Sequence, residues 1–322
     1  SFASIMFLGP PGVGKSSLQQ LAIEDVAAIL SEVRGVEIRV VKVSLRITHE
    51  EAAEVARCVV AGLCIPDLHV YIPQTDKFHL VGTPSPADNF VEVEGKKVPY
   101  NLWRLNPFLI PFLDYTDVVK DVNRMVTPLL VIDEFNMGRR DVREALFQLA
   151  RSAELGKAKL NPLTVITLLG NTPESNIYAE EELPAPLVNR AMRFIVSKPS
   201  LDGWLAFMNE VYGNKWAQEV GGFLLVNEKY LFYRDEKDRE VVITPRTWTQ
   251  LAVKLHTLKL MLSEKYGFIE GWDEFWRNAE YLVKGFLTQD VADEFYAFLR
   301  GLSAVKLADV IKNPSMLGAM DK

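Results

Sequence analysis

Five short aliphatic runs recur along the chain, at Ile5–Leu8, Val36–Val43, Leu129–Ile132, Leu163–Leu169 and Phe194–Val196. Runs apolar on both faces suit strands buried in a parallel sheet with helices on either side. Helical periodicity follows the first run, from Ser17 to Leu30, and the third, from Asp141 to Ala150, each with an apolar stripe to bury. The pattern predicts an α/β fold. Between His49 and Val119 the pattern changes: a helix from about Glu50 to Gly62 precedes a stretch punctuated by Pro66, Pro73, Gly82, Pro84, Pro86, Gly95, Pro99, Pro107 and Pro111. Within it Phe90–Val98 alternates and turns as a β-hairpin does. These features predict an inserted subdomain at about residues 50–105. From Pro199 onward helix-period segments dominate, at Leu201–Tyr212, Trp248–Tyr266, Trp272–Phe286 and Val291–Leu302. The boundary is expected near Ser197–Ser200, giving domains 1–197 and 198–322, with a frayed end beyond Asn313.

Composition narrows the class. A chain of 322 residues, 48% hydrophobic and 24% charged, suits two globular domains and excludes collagen-like, coiled-coil and disulfide-scaffold architectures. No apolar run approaches the roughly 18 residues that cross a bilayer, and no signal-peptide pattern precedes the first strand, so a cytoplasmic protein without membrane contact is expected. Lys plus Arg is 36 against 42 Asp plus Glu, a net charge of −6, which gives no global attraction to nucleic acid or anionic lipid. Cys58 and Cys64 lack metal-ligand spacing and are expected as free, packed thiols. His49, His69, His79 and His256 are scattered singly. Because the chain enters an apolar strand at Ser4, further residues upstream of Ser1 are expected.

Gly9-Pro10-Pro11-Gly12-Val13-Gly14-Lys15-Ser16 fits GxxxxGK[ST] between a strand and a helix. Glycines let the backbone curl so that its N–H groups face phosphate, and the following helix adds its positive end. Lys15 then reaches the β and γ oxygens and Ser16 ligates Mg²⁺, with Ser17 completing the binding segment. Leu129-Leu130-Val131-Ile132-Asp133-Glu134 is an aliphatic strand ending in two carboxylates, the first of them, Asp133, 118 residues beyond Lys15. Both segments belong at the carboxyl ends of strands, where α/β crevices form. Asp133 would hold the hydrated Mg²⁺ and Glu134 would polarise the attacking water. The fourth run ends in Gly170-Asn171, and Asn171 is either a partner of that water or of the γ-phosphate, or a turn asparagine.

In these motifs the chain resembles the AAA+ ATPases, specifically the MoxR-like branch. Gly9–Ser16 matches Walker A, Leu129–Glu134 continuing into Phe135-Asn136 matches Walker B, and Gly170-Asn171 matches sensor 1. Leu183–Arg190 looks like the segment ending in an arginine finger, and Thr244-Pro245-Arg246-Thr247-Trp248 looks like sensor 2. The resemblance implies an αβα P-loop NTPase core with a five-stranded parallel sheet, a C-terminal helical lid, and a homo-oligomeric ring, usually a hexamer, binding ATP with Mg²⁺ between subunits. It implies that Arg190 serves the neighbouring subunit's γ-phosphate, with Arg193 as its rival, and that Arg246 reports nucleotide state in cis or in trans. It also implies a MoxR-like chaperone or maturation factor acting on a protein substrate, often with a von Willebrand factor A domain partner. A nucleic-acid motor of the MCM or McrB kind and a nucleotide-loaded structural ring are the alternatives, and GTP is the alternative nucleotide. The segment 50–105 occupies the place of the branch's helix insertion. Its aromatics Phe78, Phe90, Tyr100 and Trp103 form either a small core of their own or a docking surface. Glu154–Leu160 occupies the place of the hairpin before sensor 1. Lys157 and Lys159, with Arg139 and Arg140, are either pore-lining cations or solvated charges.

Overall fold

The computed structural model describes residues 3–84, 90–93, 96–99, 103–119, 121, 124–171, 191–234, 242–270 and 272–304. The chain divides into two compact units, Ser1–Ser197 and Lys198–Lys322.

In the first unit six strands form one parallel sheet: β1 (Ala3–Leu8), β2 (Arg39–Val43), β3 (Cys64–Tyr71), β4 (Leu129–Asp133), β5 (Val165–Gly170) and β6 (Met192–Ile195). Their order is β6-β1-β5-β4-β3-β2. The five-stranded expectation is therefore corrected to six. The added strand, β3, lies inside the segment assigned to the insertion and pairs with β2 on one side and β4 on the other. Pro66, Asp67 and His69 interrupt its aliphatic character, so its composition reads as a turn rather than a central strand. Pairing on both flanks overrides that local preference. Asp67 is buried, its carboxylate 3.1 Å from His69 Nε2 without hydrogen-bond alignment.

Side chains alternate across the sheet as the pleat requires. Met6, Leu68, Val70, Leu130, Ile132, Ile166 and Leu168 pack on one face with α4 (Arg140–Ser152) and the 3₁₀ segment Pro107–Phe112. Ile65, Leu129, Val131 and Leu169 pack on the other with Ile23 and Ala27 of α1 (Lys15–Arg34). The helix α2 (His49–Val60) starts at a capping box in which Thr48 and Glu51 satisfy each other's backbone N–H groups. A short helix α3 (Lys77–Val81) follows β3, and Glu154–Leu155 pairs antiparallel with Ala158–Lys159 after α4. Phe90–Val93 pairs antiparallel with Lys96–Pro99.

The second unit is helical: α5 (Leu201–Tyr212), α6 (Glu219–Val226), α7 (Pro245–Glu270), α8 (Trp272–Phe286) and α9 (Gln289–Ala304). One short antiparallel pair, Tyr233–Arg234 with Val242–Ile243, interrupts them. Its core is aromatic. Phe223 lies 5.0 Å from Phe295, 5.7 Å from Trp248 and 5.9 Å from Tyr230, centroid to centroid. The buried indole of Trp248 donates to Tyr230 O at 2.7 Å, satisfying its polar edge. Among the described residues no helix is long and apolar enough to cross a membrane.

Candidate functional site

Strand register assembles the site. Leu169 of β5 lies opposite Asp133 of β4, which lies opposite Tyr71 of β3, so the carboxyl ends of three strands finish level. At the end of β1 the chain enters the Gly9–Ser16 loop, where Gly12 and Gly14 have φ of 74° and 94°. Only glycine adopts these left-handed values without strain. Gly14 is the N-cap of α1, and no side chain caps the helix there, nor does an acidic residue occupy its first turn. The first N–H groups of a 20-residue helix are thus left for an anion, at the end where the dipole favours one.

Lys15 Nζ donates to Gly9 O and Pro10 O at 2.9 Å each and to Asn171 Oδ1 at 3.1 Å. Ser16 Oγ lies 3.5 Å from Asp133 Oδ2. Five predicted residues, Lys15, Ser16, Asp133, Glu134 and Asn171, therefore meet at one half-buried rim. A serine hydroxyl beside a carboxylate oxygen is the hard donor chemistry that Mg²⁺ takes when it keeps most of its waters, so the residues present fit that ion.

Leaving β4, the backbone turns sharply. Glu134 has φ 51° and ψ 40°, a left-handed conformation uncommon for this residue type. Its N–H donates to Asp133 Oδ1 at 2.9 Å and its carbonyl accepts from Met137 N at 2.9 Å, which hold the turn. The Glu134 side chain accepts from the Tyr71 hydroxyl at 3.0 Å, through Oε2. Burial, then the hydrogen bond to Glu134 and the nearby carboxylate charges, push the Tyr71 hydroxyl above its ordinary value, so it stays a donor at neutral pH. Asn136 brackets the neighbouring strand end: its Nδ2 donates to Asn171 O at 3.1 Å and its Oδ1 accepts from Asn171 N at 3.4 Å. Gly170 permits this approach, because a Cβ there would stand 2.5 Å from the Phe135 ring.

Tyr71 is the member that sequence reasoning missed, and Asn136 was seen only as the continuation of the Leu129–Glu134 motif, with no role of its own. A polar residue ending a strand is the available signal for Tyr71, but its meaning depends on knowing that β3 adjoins β4. Arg190 lies outside the described residues. Arg193 is exposed on β6. Arg246 belongs to the second unit, exposed in the first turn of α7. Of the four basic residues weighed as pore-lining cations, Lys159 pairs with Asp114 at 2.9 Å, Arg139 with Asp141 at 3.3 Å and Arg140 with Glu144 at 3.3 Å.

No family model and no curated protein matches the sequence. Similar solved structures include the Orc1 protein of Aeropyrum pernix in complex with DNA, at 14% identity over 89% of this chain and 63% of that one, with a TM-score of 0.37. They also include the Thermotoga maritima RuvB Holliday junction branch migration motor, at 12% identity over 81% and 55%, TM-score 0.31. A third is NtrX from Brucella abortus, at 12% identity over 80% and 47%, TM-score 0.36. The chain thus spans less than two thirds of each of these proteins. Its functional reading rests on the geometry of its own site.

Proposed function

We propose that this chain is a Mg²⁺-dependent ATPase of the AAA+ type. The observation that carries the reading is the convergence of Lys15, Ser16, Asp133, Glu134 and Asn171, drawn from three distant segments, at one strand-end rim beside an uncapped helix terminus. Lys15 exchanges its loop carbonyls for phosphate oxygens, and the N–H groups at the start of α1 take the rest of the phosphate charge. Ser16 and Asp133 would hold Mg²⁺, which when bound would neutralise charge on the transferred phosphoryl group. Glu134, fixed by Tyr71 through one oxygen, presents the other to the attacking water and accepts its proton. Asn171, held by Asn136, bridges that water and Lys15.

We further propose the ring. Arg190, or Arg193, supplies positive charge to the nucleotide of an adjoining copy, and Arg246 senses nucleotide from the second unit. The MoxR-like motifs support a hexameric chaperone or maturation factor whose hydrolysis remodels a protein partner, including one bearing a von Willebrand factor A domain. Glu134→Gln tests the core of this: ATP binding is retained while turnover falls by about 10²–10⁴-fold, the range of a lost general base. Undiminished turnover removes Glu134 from the mechanism. Light scattering of the same ATP-locked variant reads the ring directly, and pull-down with it reads the partner.

A further inference from the structure

Away from the strand-end rim, a half-open groove of about 320 Å³ runs between α3, α4 and the Glu154–Lys159 hairpin. Val81, Ala145 and Gly156 form its less exposed lining, and Lys77, Lys157, Glu144 and Gln148 are its exposed polar groups. We infer that this groove binds an acidic segment of a polypeptide, seating its carboxylates between Lys77 and Lys157.

Charge is the first ground. The three other basic residues singled out from the sequence each have a carboxylate: Lys159 has Asp114, Arg139 has Asp141, and Arg140 has Glu144. Lys77 and Lys157 have no ion pair or hydrogen bond among the described residues, and the one acidic side chain in the lining, Glu144, is engaged by Arg140. Among the described residues, two ammonium groups without a carboxylate partner therefore line one space, and an anion complements them.

Rigidity is the second. Gly156 turns the hairpin at φ 62°, and a Cβ there would stand 2.6 Å from Val81 O, so hairpin and α3 meet backbone to backbone. The hairpin's other end is tied by Asp114 N donating to Lys159 O at 3.0 Å, by Leu160 N donating to Ala153 O at 2.9 Å and by the Lys159–Asp114 pair. The groove is thus held open by the fold rather than by its occupant, which lowers the cost of binding.

Size and openness choose the occupant. The volume is at the small end of the ~300–1,000 Å³ that ligand pockets span, and a half-open trough cannot enclose a free small molecule as such pockets do. It does accept one or two side chains of an extended chain that continues past both ends, with the Gln148 amide available to that chain's backbone. The inference goes beyond the proposed ATPase and does not depend on nucleotide.

Fluorescence anisotropy with a labelled peptide of alternating Glu and Gly, without nucleotide and at low salt, tests it on the whole chain. The peptide is expected to bind, the Gln-for-Glu peptide to bind at least about tenfold more weakly, and affinity to fall as salt rises. Lys77→Gln and Lys157→Gln should each weaken binding by about threefold and together by about tenfold, as partly exposed ion pairs do. Lys215→Gln, which removes the same charge from the second unit, should leave it unchanged. The inference is overturned by equal binding of the Gln peptide, by equal loss in Lys215→Gln, by unchanged affinity in the folded double variant, or by succinate competing as well as the peptide at equal carboxylate concentration. ATP turnover measured in parallel reports on the nucleotide site alone.

Discussion

The strand-end rim and the hairpin groove both display lysine, under opposite conditions. Lys15 already has three acceptors, two of them loop carbonyls and one the Asn171 side chain. Lys77 and Lys157 have none among the described residues. An incoming phosphate must therefore outbid existing bonds at the rim, which selects a ligand offering several charged oxygens at once. An anion at the groove only replaces water around exposed ammonium groups, and each such contact is weak. A built, internally satisfied site is thus expected to react sharply to single changes, and an open, hydrated one only gradually.

Lys15→Ala is the harshest trial of that contrast. It should lower ATP turnover by about 10³-fold, since it removes charge aimed at the transferred group in a partly desolvated place. A loss below about tenfold would put the rim on the same footing as the groove. Asn171→Ala should cost about 10–100-fold in turnover, because it removes the Oδ1 that accepts from Lys15 and the side chain offered to the attacking water, while the Asn136 bonds to the backbone of residue 171 stay in place. Tyr71→Phe keeps the ring and deletes one donor to Glu134. It is expected to lower kcat by about fivefold with KM unchanged, the size of one hydrogen bond. A change in KM instead would mean that Tyr71 touches substrate and is no positioning residue.

The smallest effect belongs to the scaffold of the groove. Burial alone would raise the Asp114 carboxyl, but its hydrogen bonds to Lys159 and Thr116 outweigh this and hold it below its ordinary value. A carboxylate depressed in the folded state stabilises the protein above its unfolded pKa near 4, and loses that contribution as pH falls through the folded value. Asp114→Asn should therefore melt lower than the parent at pH 7, with the difference closing toward pH 2 in thermal scans.

How much of this was written in the sequence follows from how local each signal is. The Gly9–Ser16 loop and the Leu129–Glu134 strand are contiguous, and the strand-to-helix turn and the strand end they form are set by neighbours a few residues away, so the placement of both was legible. Strand β3 was not. Pro66 lacks a ladder donor and Asp67 and His69 are polar, so nothing in the run itself announces a central strand; only β2 and β4 on its flanks make it one. Tyr71 inherits that opacity, because its bond to Glu134 exists only if β3 adjoins β4. Asn136 was visible as the tail of an acidic strand, yet its embrace of Asn171 spans 35 residues and two strand ends. The hairpin lysines were legible as charges but not as different ones, for only the fold gives Lys159 its Asp114 and, among the described residues, leaves Lys157 without a carboxylate.

Under the proposed role of Glu134 as base, its left-handed backbone sets activity against robustness. Holding a long side chain there costs about 1 kcal/mol that an asparagine would largely recover. Breeding this protein for heat resistance alone would consequently favour Glu134→Asn, and the hardier descendants would be inert. Any such programme needs turnover as a second criterion from its first round.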